Sequence, residues 1–339
     1  SDDYSPLSLS INSVNFLKEK NIWAENLIKS NLIESLYIKL FNSFNTIKIS
    51  TSDINLESIG EVVDKVSFLS HLRNLCKKKK NIDVMDNTEL DINQLESLSK
   101  IYLPNESKAL DFGQLIVTDG TNSKFAEKLN IPYKNINYDQ TSYIFNSEYD
   151  SMEKSAAQIF TDKGVFAVLP GNGNKKSIVA TIHNKFIDDF KFESNTVNRN
   201  LLESQLLPYI KNLKNLKLIY KHPLNTARLD NWFFKGTLFL GNSSQLLHPF
   251  GAQGFNFALD CVKKLDTQWE YLSINDKSTE HVINNINKKR NELFNGIDLT
   301  SSLLMKNNIL AAISSSFIAK TLNLSTTVKK LFIKRILNT

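Results

Sequence analysis

The sequence predicts an α/β fold that joins a discontinuous Rossmann-like nucleotide-binding domain to an antiparallel-sheet domain and to C-terminal helices. Three observations lead to this fold class. In Gly236–Asp260, a buried strand is followed by a glycine turn and then by an apolar helix. Short alternating segments between residues 139 and 183 have the spacing of an antiparallel sheet. From residue 252 onward, apolar residues recur mainly with helical periodicity.

Helices and strands are both predicted in the first 138 residues. The helices are Asn12–Asn21, whose apolar residues would face inward, and Phe68–Cys76. The strand-like runs are Thr46–Ser50, Ile82–Val84, Ser99–Leu103 and Leu110–Thr118. The last of these runs leads directly into Asp119-Gly120, so a polar turn is expected at the end of a strand.

The middle of the chain predicts the antiparallel sheet, and the C-terminal part predicts helices. The sheet strands are Asp139–Asp150, Ala156–Phe160, Val165–Leu169 and Ser177–His183. A helix is predicted at Asn198–Leu216 and a strand at Lys217–Tyr220. Further helices are predicted at 252–272, 278–294, 297–312 and 315–336. The expected domain boundaries are therefore 1–138, 139–225, 226–295 and 296–339.

Composition restricts the classes of protein to which the chain can belong. With 339 residues, 41% of them hydrophobic, the chain can bury a sizeable core. The net charge is +6, and the one tight basic run, Lys77–Lys80, is interpreted as the solvated end of a helix. The sequence has no basic stripe with interleaved aromatic residues, so it does not predict nucleic-acid binding. The two cysteines are far apart in the sequence, which predicts reduced thiols in a cytoplasmic protein. The five histidines are scattered, so no metal site is predicted.

The segment Gly236–Asp260 has the chemistry of a cofactor site. A predicted strand, Thr237–Leu240, runs into the turn Gly241-Asn242, and the glycine-rich stretch Gly251–Gly254 opens a helix. Backbone N–H groups and the dipole of a helix N-terminus stabilise an electron-rich ligand, and glycine lets the backbone approach it closely. The segment therefore predicts a site for such a ligand at the start of this helix.

The order of residues in this segment resembles the second flavin-binding motif of the FAD-dependent aromatic-ring hydroxylases, the para-hydroxybenzoate hydroxylase-like family. The matching positions are Gly241-Asn242, His248-Pro249, Gly251, Gln253-Gly254 and Asn256. Other blocks resemble the family in the same order along the chain, namely Leu7–Trp23, Leu115–Ser123, Ile159–Pro170, and His222-Pro223-Leu224 with Ala227-Arg228. The resemblance covers the chain from about residue 4 onward.

The resemblance implies that FAD is the cofactor, NAD(P)H the reductant and O2 a co-substrate. The FAD-binding residues that it implies are Asp119, Gly120, Gly241, Asn242, Pro249, Gly251, Gln253, Gly254, Phe255 and Asn256. The amides at the start of the helix would stabilise the negative charge that a reduced isoalloxazine ring gains, and Asn242 would hydrogen-bond a ribityl hydroxyl. No side chain is singled out as a catalytic acid or base.

Within this family, Asn242-Ser-Ser-Gln245 is closest to the ubiquinone-biosynthesis branch, in particular to the 2-octaprenyl-6-methoxyphenol hydroxylases. That branch implies a lipophilic polyprenyl phenol as substrate, with other ubiquinone-biosynthesis proteins and the surface of the inner membrane as further partners. The C-terminal segment Phe317–Asn338 has the pattern of a basic amphipathic helix, which would either lie on anionic lipid or pack against the protein.

One departure from the family leaves alternatives open. No G-x-G-x-x-G follows a strand near Ser1, although the family begins with that unit, so the sequence predicts an N-terminally truncated chain. A non-catalytic fragment, a scaffold subunit of a ubiquinone-biosynthesis complex, or another aromatic hydroxylase of the same fold would also fit. Single residues have structural alternatives too: Asp119 as a turn cap, His248 as a packing residue and Arg228 as a salt-bridge partner.

Overall fold

The fold is given by a computed structural model. The residues that the structure describes are 4–25, 28–41, 43, 45–88, 90, 100–102, 109–151, 154–171, 176–193, 197–234, 236–248, 252–268, 281–288, 290–292, 295 and 320.

The elements are numbered in chain order. The helices are α1 (Ile11–Glu19), α2 (Thr51–Ile54), α3 (Lys65–Lys78), α4 (Lys124–Lys128), α5 (Ile187–Phe190), α6 (Arg199–Leu206) and α7 (Gln253–Asp266). The strands are β1 (Pro6–Ser10), β2 (Ser30–Ile33), β3 (Ser35–Lys39), β4 (Thr46–Ser50), β5 (Gly60–Asp64), β6 (Lys100–Tyr102), β7 (Ala109–Asp111), β8 (Leu115–Val117), β9 (Tyr133–Ser151), β10 (Ser155–Phe160), β11 (Gly164–Leu169), β12 (Lys176–His183), β13 (Ile210–Leu229), β14 (Phe233–Phe234), β15 (Thr237–Phe239) and β16 (Gln245–Leu246). Residues 281–288 and 290–292 are also helical.

The chain divides into two compact units, and each is assembled from separate segments. The described residues of Ser1–Leu75, Tyr138–Leu224 and Leu299–Thr339 form unit 1. Those of Cys76–Asn137 and Asn225–Asp298 form unit 2. The assignment of FAD-binding and substrate roles to 1–138, 139–225, 226–295 and 296–339 stays a prediction.

Unit 1 contains a three-stranded antiparallel sheet with the order β1-β5-β2. Helix α1 follows β1 directly. Ser10 caps the start of this helix: its side chain accepts a hydrogen bond from the backbone N–H of Ser13 and so satisfies one of the donors at the helix start. Val14 and Leu17, three residues apart, are buried, so α1 covers the core with one face.

The main sheet of unit 1 has the strand order β13-β9-β12-β11-β10-β3-β4. Successive side chains of a strand point to opposite faces of the sheet. One face carries a buried aromatic and aliphatic cluster that includes Tyr143, Phe145, Phe166 and Ile178, and side chains from α5 and α6 belong to the same cluster. The other face, called here the second face, is described with the candidate site.

In unit 2, β15 pairs in parallel with β8 and antiparallel with β14. Its core packs side chains of these strands against α4, α7 and the helical residues 282–286. Trp232 and Phe239 are among the most deeply buried residues. Arg290 is also buried, its guanidinium donates to the carbonyl of Leu229, and burial lowers its pKa to about 10.

The structure corrects three of the sequence-based elements. One is the run Leu110–Thr118, which is divided between β7 and β8 and is not one strand. Asn198–Leu216 is not one helix: α6 ends at Leu206 before Pro208, which disfavours helical backbone in the preceding residue, and β13 begins at Ile210. In β13, Asn212 and Asn215 have positive φ values of 55° and 48°. Such residues interrupt strict alternation, so buried Ile210 and Leu213 are three apart and imitate a helical pattern.

The third correction concerns Ile82–Val84, which is exposed and is not a strand. Thr46–Ser50 is a strand with the predicted bounds, and the helix predicted at 252–272 occurs as Gln253–Asp266. Of the helix predicted at 278–294, residues 281–288 and 290–292 are helical. The helices predicted at 297–312 and 315–336, and with them the membrane role of Phe317–Asn338, lie outside the described residues, apart from residue 320.

Candidate functional site

Two of the predicted FAD-binding segments lie side by side at the ends of the parallel strands β8 and β15. Phe239 pairs with Val117 in the parallel register, and the backbone N–H of Leu240 donates to the carbonyl of Val117 at 3.0 Å. Asp119-Gly120 follows the first strand, and Gly241-Asn242 follows the second. Ligands of open α/β sheets bind beyond the carboxyl ends of parallel strands, so this edge has the position of a ligand site.

The turn after β15 is held in one shape by side chains. Gly241–Ser243 forms a 3-10 turn, and Gly241 has a φ of 63°, which glycine adopts without strain. The hydroxyl of Ser243 lies 2.8 Å from the carbonyl of Val117, and the Tyr133 hydroxyl donates to the carbonyl of Ser243 at 2.7 Å. Asn242 is exposed, so its carboxamide is accessible to a ligand.

Asp119 takes part in the start of helix α4. Its carboxylate accepts a hydrogen bond from the hydroxyl of Ser123 at 2.9 Å, and Ser123 in turn accepts from the backbone N–H of Ala126 at the helix start. Burial, together with the smaller effect of the Asp119 charge, raises the pKa of Tyr133. Asp119 thus has a structural role at the start of α4. It is also exposed, so it remains accessible to a ligand.

The third predicted segment begins at the N-terminus of α7, which packs against the Gly241–Ser243 turn. Ala252 precedes the helix with a left-handed φ of 54°, which is strained for a residue with a β-carbon. Gly254 is exposed and Phe255 is half-buried. Asn256 is buried, and its side chain donates to the carbonyl of Ala252 at 2.8 Å, which holds the first turn in place.

The described residues leave room beside Gly254 in the first turn of α7. A β-carbon added to Gly254 would meet no described atom within 4 Å, and the same holds for Gly120 and Gly241. The first amides of a helix have no acceptor in the preceding turn. The turn can therefore receive a ligand that accepts hydrogen bonds from the backbone.

Of the ten predicted FAD-binding residues, eight are described and lie on these three neighbouring segments of unit 2: Asp119, Gly120, Gly241, Asn242, Gln253, Gly254, Phe255 and Asn256. Pro249 and Gly251 lie outside the described residues. The sequence-based reasoning missed Tyr133 and Ala252. Neither has a local sequence signal, because one acts through a residue far along the chain and the other through its backbone conformation.

The second face of the main sheet in unit 1 is partly open and has a distinct pattern. Ile144, Val179 and Ala167 are aligned across three strands and are half-exposed. Hydrogen-bonded polar pairs flank this apolar row: Thr181 Oγ1 donates to Ser142 Oγ at 3.2 Å, and Ser177 Oγ donates to Asn146 Oδ1 at 3.3 Å. An apolar floor between polar rims suits a flat, mostly apolar molecule with a few polar groups.

His183 lies on the same face, and its pKa predicts that the stability of the protein depends on pH. Burial, and then the charge of Lys185, lowers its pKa below the ordinary value of 6.5. Between the folded-state pKa and 6.5, the unfolded chain binds more protons, so the free energy of unfolding falls as the pH decreases through this range. We expect His183→Gln to flatten this part of the profile. The measurement is the free energy of unfolding in urea, for the unaltered protein and for His183→Gln, from pH 7 to pH 5. If this free energy changes with pH in parallel for the two proteins, the expectation is wrong.

Comparisons with solved structures identify the fold. The probable FAD-dependent monooxygenase PqsL from Pseudomonas aeruginosa matches with a TM-score of 0.70 and 12% identity over 94% of this chain and 90% of that one. p-Nitrophenol 4-monooxygenase PnpA from Pseudomonas putida matches with a TM-score of 0.71 and 11% identity over 100% and 89% of the two chains. The flavin-dependent brominase Bmp2 matches with a TM-score of 0.70 and 11% identity over 99% and 84%.

The similarities found by comparing sequences are weaker than those found by comparing structures. No family model matches the chain. The ubiquinone hydroxylase UbiL from Rhodospirillum rubrum is 22% identical over 152 residues, which are 44% of this chain. That alignment spans 35% of UbiL, about a third of its length. The predicted fold class is confirmed: the chain has the α/β fold of the FAD-dependent monooxygenases.

Proposed function

We propose that the protein binds FAD and acts as a monooxygenase that hydroxylates the aromatic ring of a polyprenyl phenol in ubiquinone biosynthesis, with NAD(P)H and O2 as co-substrates. The observation that carries the proposal is the convergence of three backbone segments in unit 2. The ends of β8 and β15 and the first turn of α7 form one edge, and open space lies at Gly254.

The residues at this edge fit FAD. The exposed Asn242 would hydrogen-bond the ribityl chain, and Asp119-Gly120 would lie near the ribityl-pyrophosphate part. The amides of Gln253, Gly254 and Phe255 would face the pyrimidine edge of the flavin, where a helix dipole favours negative charge. The bound cofactor would supply the redox chemistry that NAD(P)H and O2 require. The protein itself would position the flavin and stabilise its charge with backbone groups that do not titrate.

The second face of the unit 1 sheet is the proposed contact surface for the aromatic substrate. Its apolar row of Ile144, Val179 and Ala167 would contact the ring. Of the flanking polar residues, Ser142 is the one that is half-buried rather than buried, and its hydroxyl would contact an oxygen substituent. An apolar surface also excludes water from the reacting atoms. A ring with a long prenyl tail is supported by the likeness of Asn242–Gln245 to the ubiquinone branch and by the similarity to UbiL.

The first experiment titrates FAD into the purified protein, both as residues 1–339 and with any sequence encoded upstream of Ser1, and follows quenching of flavin fluorescence. Oxidation of NADH and of NADPH is then measured in air with phenols that do and do not carry a prenyl tail, and products are identified by mass. FAD binding with an added oxygen atom on a prenylated ring supports the proposal. A protein that binds no FAD in either form would instead be a scaffold subunit.

A substitution on the second face tests the substrate site separately. We expect Val179→Phe to lower kcat/KM by about 10- to 100-fold, because an added ring occupies the apolar row, while FAD affinity stays unchanged. Val262→Phe adds the same bulk at an exposed position on α7 and should leave kcat/KM unchanged. Equal kcat/KM for Val179→Phe and the unaltered protein would remove this face from the substrate site.

A further inference from the structure

An exposed segment of unit 2 combines a run of lysines with large apolar side chains. The segment, called here the basic loop, is Lys77–Met85, and all of its residues are exposed. Ile82 is 41% exposed, Val84 37% and Met85 52%. The cofactor residues described above do not include any part of this loop.

The basic loop has a defined shape. Its first two residues are the last two of α3, and beyond them the backbone N–H groups of Lys79 and Ile82 donate to the carbonyls of Cys76 and Lys79 at 3.0 and 3.2 Å. Lys77 Nζ lies 2.8 Å from Asp86 Oδ2, which ties the end of the loop back to its start. Among the ion pairs of the described residues, Lys77 is the only one of the four lysines that takes part. The other three lysines and the three apolar side chains are all exposed, as is Asp83 between Ile82 and Val84.

The composition of the loop favours one class of partner. Lysine is depleted in protein–protein interfaces, where arginine and aromatic residues are enriched, so Lys77–Lys80 does not resemble a protein-binding surface. The loop also has no aromatic residue on which nucleic-acid bases could stack. Lysines beside exposed aliphatic side chains are typical of segments that contact anionic lipid: the cations attract headgroup phosphates and the aliphatic groups enter the boundary of the acyl chains.

We propose that the basic loop docks the protein onto an anionic membrane surface, with Lys78–Lys80 at the headgroups and Ile82, Val84 and Met85 in the interface. None of the helices in the described part of the chain has both the length and the apolar composition needed to cross a membrane. The loop provides a peripheral contact and does not depend on the proposed enzymatic activity.

The test is co-sedimentation of the full chain with vesicles of phosphatidylcholine, with and without phosphatidylglycerol. We expect binding to the anionic vesicles, weakening as salt is added. The variant Lys78→Gln/Lys79→Gln/Lys80→Gln should lose about five-fold in partitioning for each lysine replaced. Lys128→Gln/Lys214→Gln/Lys263→Gln removes the same charge from exposed positions elsewhere and should bind like the unaltered protein.

The apolar contribution needs its own pair of variants. Ile82→Ser/Val84→Ser/Met85→Ser should weaken binding several-fold, whereas Leu207→Ser/Tyr220→Ser/Val262→Ser, at similarly exposed positions, should not. Circular dichroism of all variants verifies that they are folded. The proposal is overturned if the unaltered protein does not bind anionic vesicles, if it binds neutral vesicles equally well, or if either set of loop substitutions leaves binding unchanged. Binding that survives in the loop variants would belong to another part of the chain.

Discussion

Gly254→Leu is expected to abolish most of the affinity for FAD while the protein stays folded. Gly254 lies in the first turn of α7, is exposed, and has no described atom within 4 Å of the position of an added β-carbon. We expect the leucine side chain to extend into the space proposed for the cofactor. Glycine in a helix is less favourable than most residues by about 0.5–1 kcal/mol, so the free energy of unfolding should stay the same or increase slightly.

The measurement is a fluorescence titration with FAD, accompanied by urea unfolding without FAD. We expect the dissociation constant to rise on the order of 100-fold, because a bulky side chain at a close backbone contact costs about 1–3 kcal/mol. Gly113→Leu is the matched control, since a β-carbon there also meets no described atom within 4 Å. An unchanged dissociation constant in Gly254→Leu would remove the first turn of α7 from the cofactor site. Loss of binding in both variants would indicate a non-specific effect.

Gly164→Ala is expected to destabilise the protein strongly. Gly164 has a φ of 150°, and an added β-carbon would lie 2.0 Å from the carbonyl oxygen of Thr181 and 2.9 Å from the Cα of Ile182. Both of these atoms belong to the backbone of β12, so no side-chain rotation relieves the contact. Either the pairing of β11 with β12 must open or the strand must shift, at a cost of about 3–5 kcal/mol.

Urea unfolding followed by circular dichroism checks this expectation. The midpoint for Gly164→Ala should be far below that of the unaltered protein, or the variant should not be recovered folded. Gly113→Ala, which adds the same methyl group in open space, should unfold near the original midpoint. If both variants unfold at the same denaturant concentration, Gly164 does not pair with Ile182 in the register described.

Local pattern was sufficient to locate most of the strands in the main sheet. The predicted strand Ser177–His183 occurs as Lys176–His183, since its side chains alternate between a fully buried face and a mixed one. The glycine turn at Gly241 and the helix after it were also predictable, because glycine and helical periodicity are local signals. These elements contain most of the candidate cofactor site.

Long-range pairing could not be predicted from the same signals. The parallel contact between Val117 and Phe239 places Asp119-Gly120 beside Gly241-Asn242, yet nothing in either strand specifies the other. Tyr133 reaches Ser243 across a similar gap in the sequence. In β13, the left-handed Asn212 and Asn215 changed the spacing of apolar residues from that of a strand to that of a helix. Tertiary contacts therefore determined the features that local periodicity did not predict or predicted wrongly.

The pairing of β8 with β15 also affects when the protein can acquire a cofactor during its synthesis. Leu115–Val117 is made early, but its partner Thr237–Phe239 and the following helix α7 leave the ribosome only after the whole main sheet has been translated. Because domains fold as their segments emerge, the nascent chain has no complete binding edge until α7 has been translated. Any flavin loading at this edge would then follow the synthesis of α7, and chains terminated before α7 would be released without it.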